Sequence, residues 1–130
     1  MMKLYLTPTS PYARIVRIAI CELGLAERIE EAPARTRQSD SPYYAINPSG
    51  RIPCLITDDG IGLEGSDLIL DYLGALSGSA AFAPSADWQG RALEEQARSL
   101  LDGLAVWVRE MRPVATLRAS MNRIWPLRSC

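Results

Sequence analysis

The first residues suited to chemistry lie in a hydroxyl-rich elbow that follows a short apolar strand. In one-letter code it reads TPTSPY, and Ser10 stands directly before Pro11, where a helix is expected to begin. A serine followed by proline is a favourable helix N-cap, which explains the residue types without any catalytic role. The alternative is that the Ser10 hydroxyl also takes part in binding or catalysis. Thr7 and Thr9 are alternative hydroxyls, whereas Tyr5, within the strand, is expected to belong to the core.

Composition restricts the chemistry that this chain can carry out. It contains no histidine, which excludes Ser-His-Asp and Cys-His catalysis and removes the commonest metal ligand. Its cysteines, Cys21, Cys54 and Cys130, show no CxxC spacing. Neither a disulfide framework nor a zinc site is therefore expected, and no metal cofactor is predicted. We expect Cys21 and Cys54 to be buried structural thiols.

Size and charge indicate the class of protein and its partners. The chain has 130 residues and a net charge of −1, and its sequence predicts neither a signal peptide nor a transmembrane helix. A cytoplasmic protein with no membrane contact is therefore expected. Residues 109–130 hold five arginines and one glutamate. Because these arginines are neither clustered nor regularly interleaved with aromatic residues, nucleic acid is not an expected partner.

Hydrophobic periodicity predicts the order β-α-β-(loop or α)-β-β-α within residues 1–78. One helix is expected from Pro11 to Leu23 with Gly24 beyond its end, and another from the cap Ser66 to Gly78. Strands are expected at residues 3–7, 28–32, 52–57 and 61–64, with a tight DDG turn at 58–60. This order implies an α/β fold, in which a mixed four-stranded sheet has helices on both faces.

A second region follows a small, polar segment at 79–87 that is predicted to be a linker. Apolar residues then recur three or four positions apart from Leu93 to Met111, which predicts a long amphipathic helix that Pro113 stops. This apolar stripe needs a partner surface, which could be the first domain, further helices or a second subunit. A homodimer is the expected assembly. Three tryptophans are expected to pack rather than form a pocket: Trp88, Trp107 and Trp125.

Three segments of the sequence resemble the glutathione S-transferase family. They are SPYARIVRIAICELGL at 10–25, NPSGRIPCL at 47–55 and EGSDLILDYL at 64–73. They occur in the order of the family and with matching predicted secondary structure. The resemblance implies a thioredoxin-like, glutathione-binding domain at 1–78. It also implies that 88–130 is a partial all-α domain, beginning with that domain's first helix.

The resemblance further implies a glutathione site built from backbone groups and helix ends. Pro53 is expected in the cis form, so that the backbone of Ile52 can pair with the cysteinyl part of glutathione. Ser66, at a helix N-terminus, would bind the γ-glutamyl carboxylate. Ser10 would donate a hydrogen bond to the glutathione sulfur and thereby favour the thiolate, which is the nucleophile.

The sequence departs from the family pattern next to Ser66. The family places an acidic residue directly before this serine, where it can bind the ammonium group of the ligand. Here Gly65 occupies that position and Glu64 comes one residue earlier. The flexibility of Gly65 is expected to let Glu64 reach the ligand. Arg51 could reach a ligand carboxylate but is more easily explained as a solvated arginine, as are Arg14 and Arg17 on the first helix.

Two functions follow from these features. The first is an enzyme that conjugates glutathione to a small electrophile, with Ser10 as the catalytic residue. The second is a non-catalytic, thioredoxin-like module, because the electrophile pocket of the family is built largely from second-domain helices that are not seen in residues 88–130. The apolar stripe of the long helix would then mediate association rather than catalysis.

Overall fold

A computed structural model describes residues 1–36 and 38–124, with the surroundings of side chains described at 1–36 and 38–111. The chain divides into two compact units, Met1–Ala83 and Pro84–Cys130. Within the described part, none of the helices has a stretch that is both long and apolar enough to cross a membrane.

The first unit is built on a mixed four-stranded sheet, as predicted. The strand order is β2-β1-β3-β4, in which β1 and β2 are parallel and the other two pairs are antiparallel. The strands are β1 (Met2–Leu6), β2 (Ile29–Pro33), β3 (Cys54–Ile56) and β4 (Gly62–Glu64). The predicted DDG turn joins β3 to β4, and the Gly60 N–H donates to the Thr57 carbonyl across it at 3.0 Å.

The described part of the chain contains four α-helices, and several of their ends follow local sequence signals. They are α1 (Pro11–Glu22), α2 (Tyr43–Ile46), α3 (Ser66–Ser77) and α4 (Trp88–Ile124), with a short 3-10 helix at Ala26–Arg28. Gly24 and Gly78 lie just beyond α1 and α3 with φ of +66° and +70°, as expected for helix-ending glycines. One predicted cap is wrong, because Ser66 is the first residue of α3 and Gly65 is its N-cap.

Alternating side chains of β1 divide the core between the two faces of the sheet. Met2 and Leu4 pack with buried residues of α1 and α3 on one face. On the other face, Tyr5 packs against a smaller cluster that contains Tyr43 of α2. Because successive side chains of a strand point to opposite faces, this short strand contributes to both clusters. The prediction of helices on both faces is confirmed, and so is the thioredoxin-like fold class.

The two interior cysteines have different surroundings. Cys54 is buried, as predicted, but Cys21 is exposed, and the prediction that it is a buried thiol was wrong. On α1 the buried side is formed by Ala13, Val16 and neighbours one turn further on. Cys21 is five positions beyond Val16, which turns it about 140° around the helix axis, away from that side. Because α1 is rich in apolar residues, its composition alone did not indicate that Cys21 lies on the exposed face.

Helix α4 departs from the prediction at its C-terminal end and at its aromatic residues. It continues through Pro113 to Ile124 instead of stopping. A proline inside a helix lacks the N–H donor and crowds the carbonyl four residues earlier, but the surrounding Ala, Leu, Met and Arg residues favour helix. Trp88 and Trp107 were predicted to pack but are 83% and 59% exposed. Trp125 lies outside the described residues.

Candidate functional site

The register of the sheet brings the predicted site segments to one end of it. Tyr5 of β1 pairs with Cys54 of β3, which in turn pairs with Glu64 of β4. The end of β1, the start of β3 and the end of β4 are therefore neighbours. The elbow after β1, the Ile52–Pro53 dipeptide before β3 and the Gly65–Ser66 dipeptide after β4 consequently share this end of the sheet.

Ser10 is the N-cap residue of α1, as the sequence predicts. Its Oγ accepts a hydrogen bond from the Ala13 N–H at 3.2 Å. Its own N–H donates to the Thr7 carbonyl at 3.1 Å, which closes the elbow. A hydroxyl that accepts one hydrogen bond still has its proton to donate, so capping and hydrogen bonding to a ligand are compatible. Of the alternative hydroxyls, Thr7 is partly buried and Thr9 is exposed.

The Ile52–Pro53 peptide bond is cis, as expected. The Pro53 side chain is fully buried, and Ile52 packs against the cluster that contains Tyr43 and Cys54. The Pro53 carbonyl accepts a hydrogen bond from the Gly65 N–H at 3.2 Å. This bond joins the segment before β3 directly to the start of α3.

The start of α3 combines a buried serine with an unusual glycine. Ser66 is only 8% exposed. Gly65 has a φ of +95°, in the region that side chains disfavour, yet a Cβ at this position would meet no atom within 4 Å among the described residues. Backbone conformation rather than lack of space therefore favours glycine here.

The Glu64 side chain contacts the turn formed by Asn47–Arg51. The Ser49 hydroxyl donates a hydrogen bond to Glu64 Oε2. Hydrogen bonds from Ser49 and Asn47, together with the nearby Arg51 charge, hold the pKa of the Glu64 carboxyl below its usual value. The exposed Glu64 carboxylate is thus kept ionised and tied to this turn.

The arginines named from the sequence are solvent-exposed. Arg51 is exposed at the end of the Asn47–Arg51 turn. Arg14 and Arg17 lie on the exposed side of α1, as predicted, and Arg17 Nε is 2.6 Å from Glu31 Oε1. Among the described side chains, no group of three or more Asp, Glu or Cys residues is arranged to hold a metal ion.

Sequence reasoning missed the residues that support this site. Tyr43, Asn47 and Ser49 hold the Asn47–Arg51 turn through side-chain hydrogen bonds. The Asn-Pro-Ser-Gly sequence is itself a turn signal and could have indicated Asn47 and Ser49. No local pattern distinguishes the Tyr43 hydroxyl from that of an ordinary core tyrosine.

Comparisons with known proteins agree on one family. The family profile described as "Glutathione S-transferase, N-terminal domain" matches residues 9–76, more than half of the chain. The chain is 32% identical over 119 residues to the uncharacterized GST-like protein YibF of Escherichia coli, covering 88% of this chain and 57% of that protein. It is 36% identical over 101 residues to glutathione S-transferase Z2 of Arabidopsis thaliana, covering 77% and 44%.

A solved structure shows the same similarity. The crystal structure of a glutathione S-transferase from Methylobacillus flagellatus, which has glutathione bound, matches with a TM-score of 0.63 and 31% identity. The match covers 79% of this chain and 50% of that one. The chain spans about half the length of the curated relatives it matches.

Proposed function

Because the chain belongs to the glutathione S-transferase family, we propose that it binds glutathione and presents the thiolate to a small electrophile. The observation that carries the proposal is the meeting of three segments at one end of the sheet, through the register of Tyr5, Cys54 and Glu64. Glutathione bound to the related Methylobacillus enzyme supports this choice of ligand.

Ser10 has the catalytic role in this proposal. Its hydroxyl, at the N-terminus of α1, donates a hydrogen bond to the glutathione sulfur, and the helix dipole adds positive potential. Both interactions favour the thiolate over the thiol and lower the thiol pKa. The sulfur lone pair then forms a bond to an electrophilic carbon. Either the leaving group departs with its bonding electron pair, or the π electrons of a conjugated double bond shift away from that carbon and the resulting enolate takes a proton from water.

The remaining predicted residues hold the peptide. The backbone of Ile52, next to cis Pro53, pairs with the cysteinyl unit, and Ser66 with the free N–H groups of α3 binds the γ-glutamyl carboxylate. Glu64 supplies negative charge for the ligand ammonium, and Gly65 allows the backbone to approach the ligand. Arg51 is the weakest member of the set, because its nearby partner is the Glu64 carboxylate.

Each part of the chain has its own role in this function. Residues 1–78 form the glutathione-binding domain, 79–87 the linker and 88–130 a partial all-α domain. The protein acts in the cytoplasm as a homodimer. Its second substrate is a small electrophile, and the proposal does not specify which one. The unpaired thiols of Cys21 and Cys54 are compatible with a reducing compartment.

A non-catalytic binding module is the second candidate. It is favoured by the exposed apolar side chains of α4, among them Leu93 at 67% and Leu100 at 65%. Exposed apolar patches of this kind are typical of surfaces that associate with a partner. In this reading the chain binds glutathione weakly or not at all and has no transferase activity.

Calorimetric titration of glutathione into the purified chain, with spectroscopic titration of the bound thiol, tests the enzyme. We expect binding by the wild type, with a thiol pKa below that of free glutathione. Ser10→Gly should retain most of the capping, since glycine is a tolerated N-cap, but should raise the bound thiol pKa because the hydroxyl is gone.

Ser10→Thr is the matched control, because it keeps both the hydroxyl and the cap. It should leave the bound thiol pKa close to the wild-type value. Absence of binding at millimolar glutathione would contradict the enzyme proposal and favour the binding module. An unchanged thiol pKa in Ser10→Gly would remove Ser10 from the catalytic role.

A further inference from the structure

The buried Tyr43 hydroxyl has a specific backbone partner beside the proposed site. Tyr43 is 3% exposed, and its ring centroid lies 5.6 Å from that of Tyr5. Its hydroxyl donates a hydrogen bond to the Arg51 carbonyl oxygen at 2.5 Å. A phenylalanine would satisfy the packing alone, so the hydroxyl group is the feature to be explained.

Asn47 supplies a second donor to the same oxygen. Its Nδ2 lies 3.0 Å from the Arg51 carbonyl oxygen, while its Oδ1 accepts the Ser49 N–H at 3.3 Å. Ser49 Oγ in turn accepts the Arg51 N–H at 3.0 Å. Side chains therefore hold both backbone polar groups of Arg51.

The turn between these residues is also restrained by packing. Gly50 has a φ of +67°, and a Cβ there would lie 2.5 Å from Tyr44 Cε1. Only glycine fits this close approach to the ring. With Ser49 bound to Glu64 on its other side, the turn is held by α2 and by β4.

The consequence for the site follows from the planarity of the peptide unit. The Arg51 carbonyl and the Ile52 N–H belong to one rigid plane, so fixing the direction of the oxygen fixes the direction of the N–H. We propose that Tyr43 is a positioning residue for glutathione. By holding the Arg51 carbonyl, it orients the Ile52 backbone that pairs with the cysteinyl unit. This inference rests on the proposed function.

The Tyr43 hydroxyl is suited to this role over a wide pH range. Burial is the main reason that its pKa is raised to about 12. The group is therefore a neutral donor wherever glutathione chemistry takes place. Its ring packs with Cys54 and Ala34 in the smaller cluster, and its oxygen also accepts a hydrogen bond from Asn47 Nδ2 at 3.4 Å.

Tyr43→Phe tests the proposal, because it removes the hydroxyl and keeps the ring. We expect the Kd for glutathione to rise about fivefold, as for the loss of one neutral hydrogen bond. The thiol pKa of bound glutathione should not change, because Ser10 is intact. A general loosening of the fold would alter both quantities. The control is Tyr72→Phe, because Tyr72 packs against the other core cluster, which contains Met2 and Leu4. This variant should leave the Kd unchanged.

Asn47→Asp is a second variant, for use if Tyr43→Phe does not fold. It keeps an acceptor for Ser49 but exchanges the Nδ2 donor for an oxygen, and it should also raise the Kd without moving the bound thiol pKa. Wild-type affinity in whichever of these variants folds would overturn the positioning role and leave the proposed function intact. Failure of the wild type to bind glutathione would overturn the proposed function and this inference with it.

Discussion

The two units of the chain differ in how far their large apolar side chains are buried. In Met1–Ala83, Leu4, Leu55 and Leu73 are completely buried. In α4, by contrast, Leu100 is 65% and Leu104 is 45% exposed. Every buried core residue among the described side chains belongs to the first unit.

The contrast shows what an amphipathic pattern specifies and what it does not. Helices α1 and α4 both have apolar residues at helical spacing. The apolar side of α1 meets β1 and α3 in the first core cluster, whereas that of α4 remains in contact with solvent. Periodicity determines which face of a helix is apolar, but another surface has to supply the burial energy.

The largest expected effect comes from comparing a leucine in each region. Leu4→Ala should lower the free energy of unfolding by about 2–5 kcal/mol, since it leaves a cavity in a closed core. Leu100→Ala should change it by less than about 0.5 kcal/mol at protein concentrations low enough to keep the chain monomeric, because the side chain is then hydrated. Urea unfolding of both variants at such concentrations measures the difference. Equal losses would mean that Leu100 is covered even in the monomer and would contradict the contrast between the two units.

A change of intermediate size is expected in the state of association. The wild type should associate as its concentration rises, because the apolar stripe of α4 is exposed. Leu100→Glu combined with Leu104→Glu should shift the chain to monomer in sedimentation velocity experiments. Ser99→Glu, on an exposed position of the same helix, is the control and should still associate. A wild type that stays monomeric at all concentrations would contradict this role for the stripe.

The smallest expected effect concerns Glu64 and the Asn47–Arg51 turn of the first unit. In the folded chain the pKa of the Glu64 carboxyl lies below its usual value, so the contribution of Glu64 to stability is fully present above the pKa that this group has in the unfolded chain. The contribution is lost as the pH falls through the lower, folded-state pKa. Glu64→Gln should therefore be slightly less stable than the wild type at pH 7, with the difference vanishing under strongly acidic conditions.

Thermal unfolding across this pH range measures the effect of Glu64. Glu27→Gln removes an exposed carboxyl that is remote in sequence from the turn, and serves as the control for net charge. A difference between Glu64→Gln and the wild type that persisted unchanged at low pH would show that the carboxylate charge is not the cause.

Features set by neighbouring residues were predictable from the sequence. Interactions within a few residues determine the Ser10–Pro11 start of α1, the turn at Asp58–Gly60 and the end of α1 before Gly24. The order of strands and helices and the thioredoxin-like class also followed from periodicity together with three family-like segments. The end predicted at Pro113 was wrong, since α4 continues to Ile124, because the helix-forming residues on both sides outweigh the local cost of the proline.

Long-range contacts, in contrast, were decided only by the tertiary structure. Three features depend on how separate elements meet. They are the exposure of Cys21, the hydrogen bond from Ser49 to Glu64 and the hydrogen bond from Tyr43 to the Arg51 carbonyl. Local hydrogen bonding and backbone preferences, which can be read from neighbouring residues, specify the segments of the candidate site and the ends of α1 and α3. The side chains that hold those segments could be identified only from the folded chain, because packing across the sheet selects these partners.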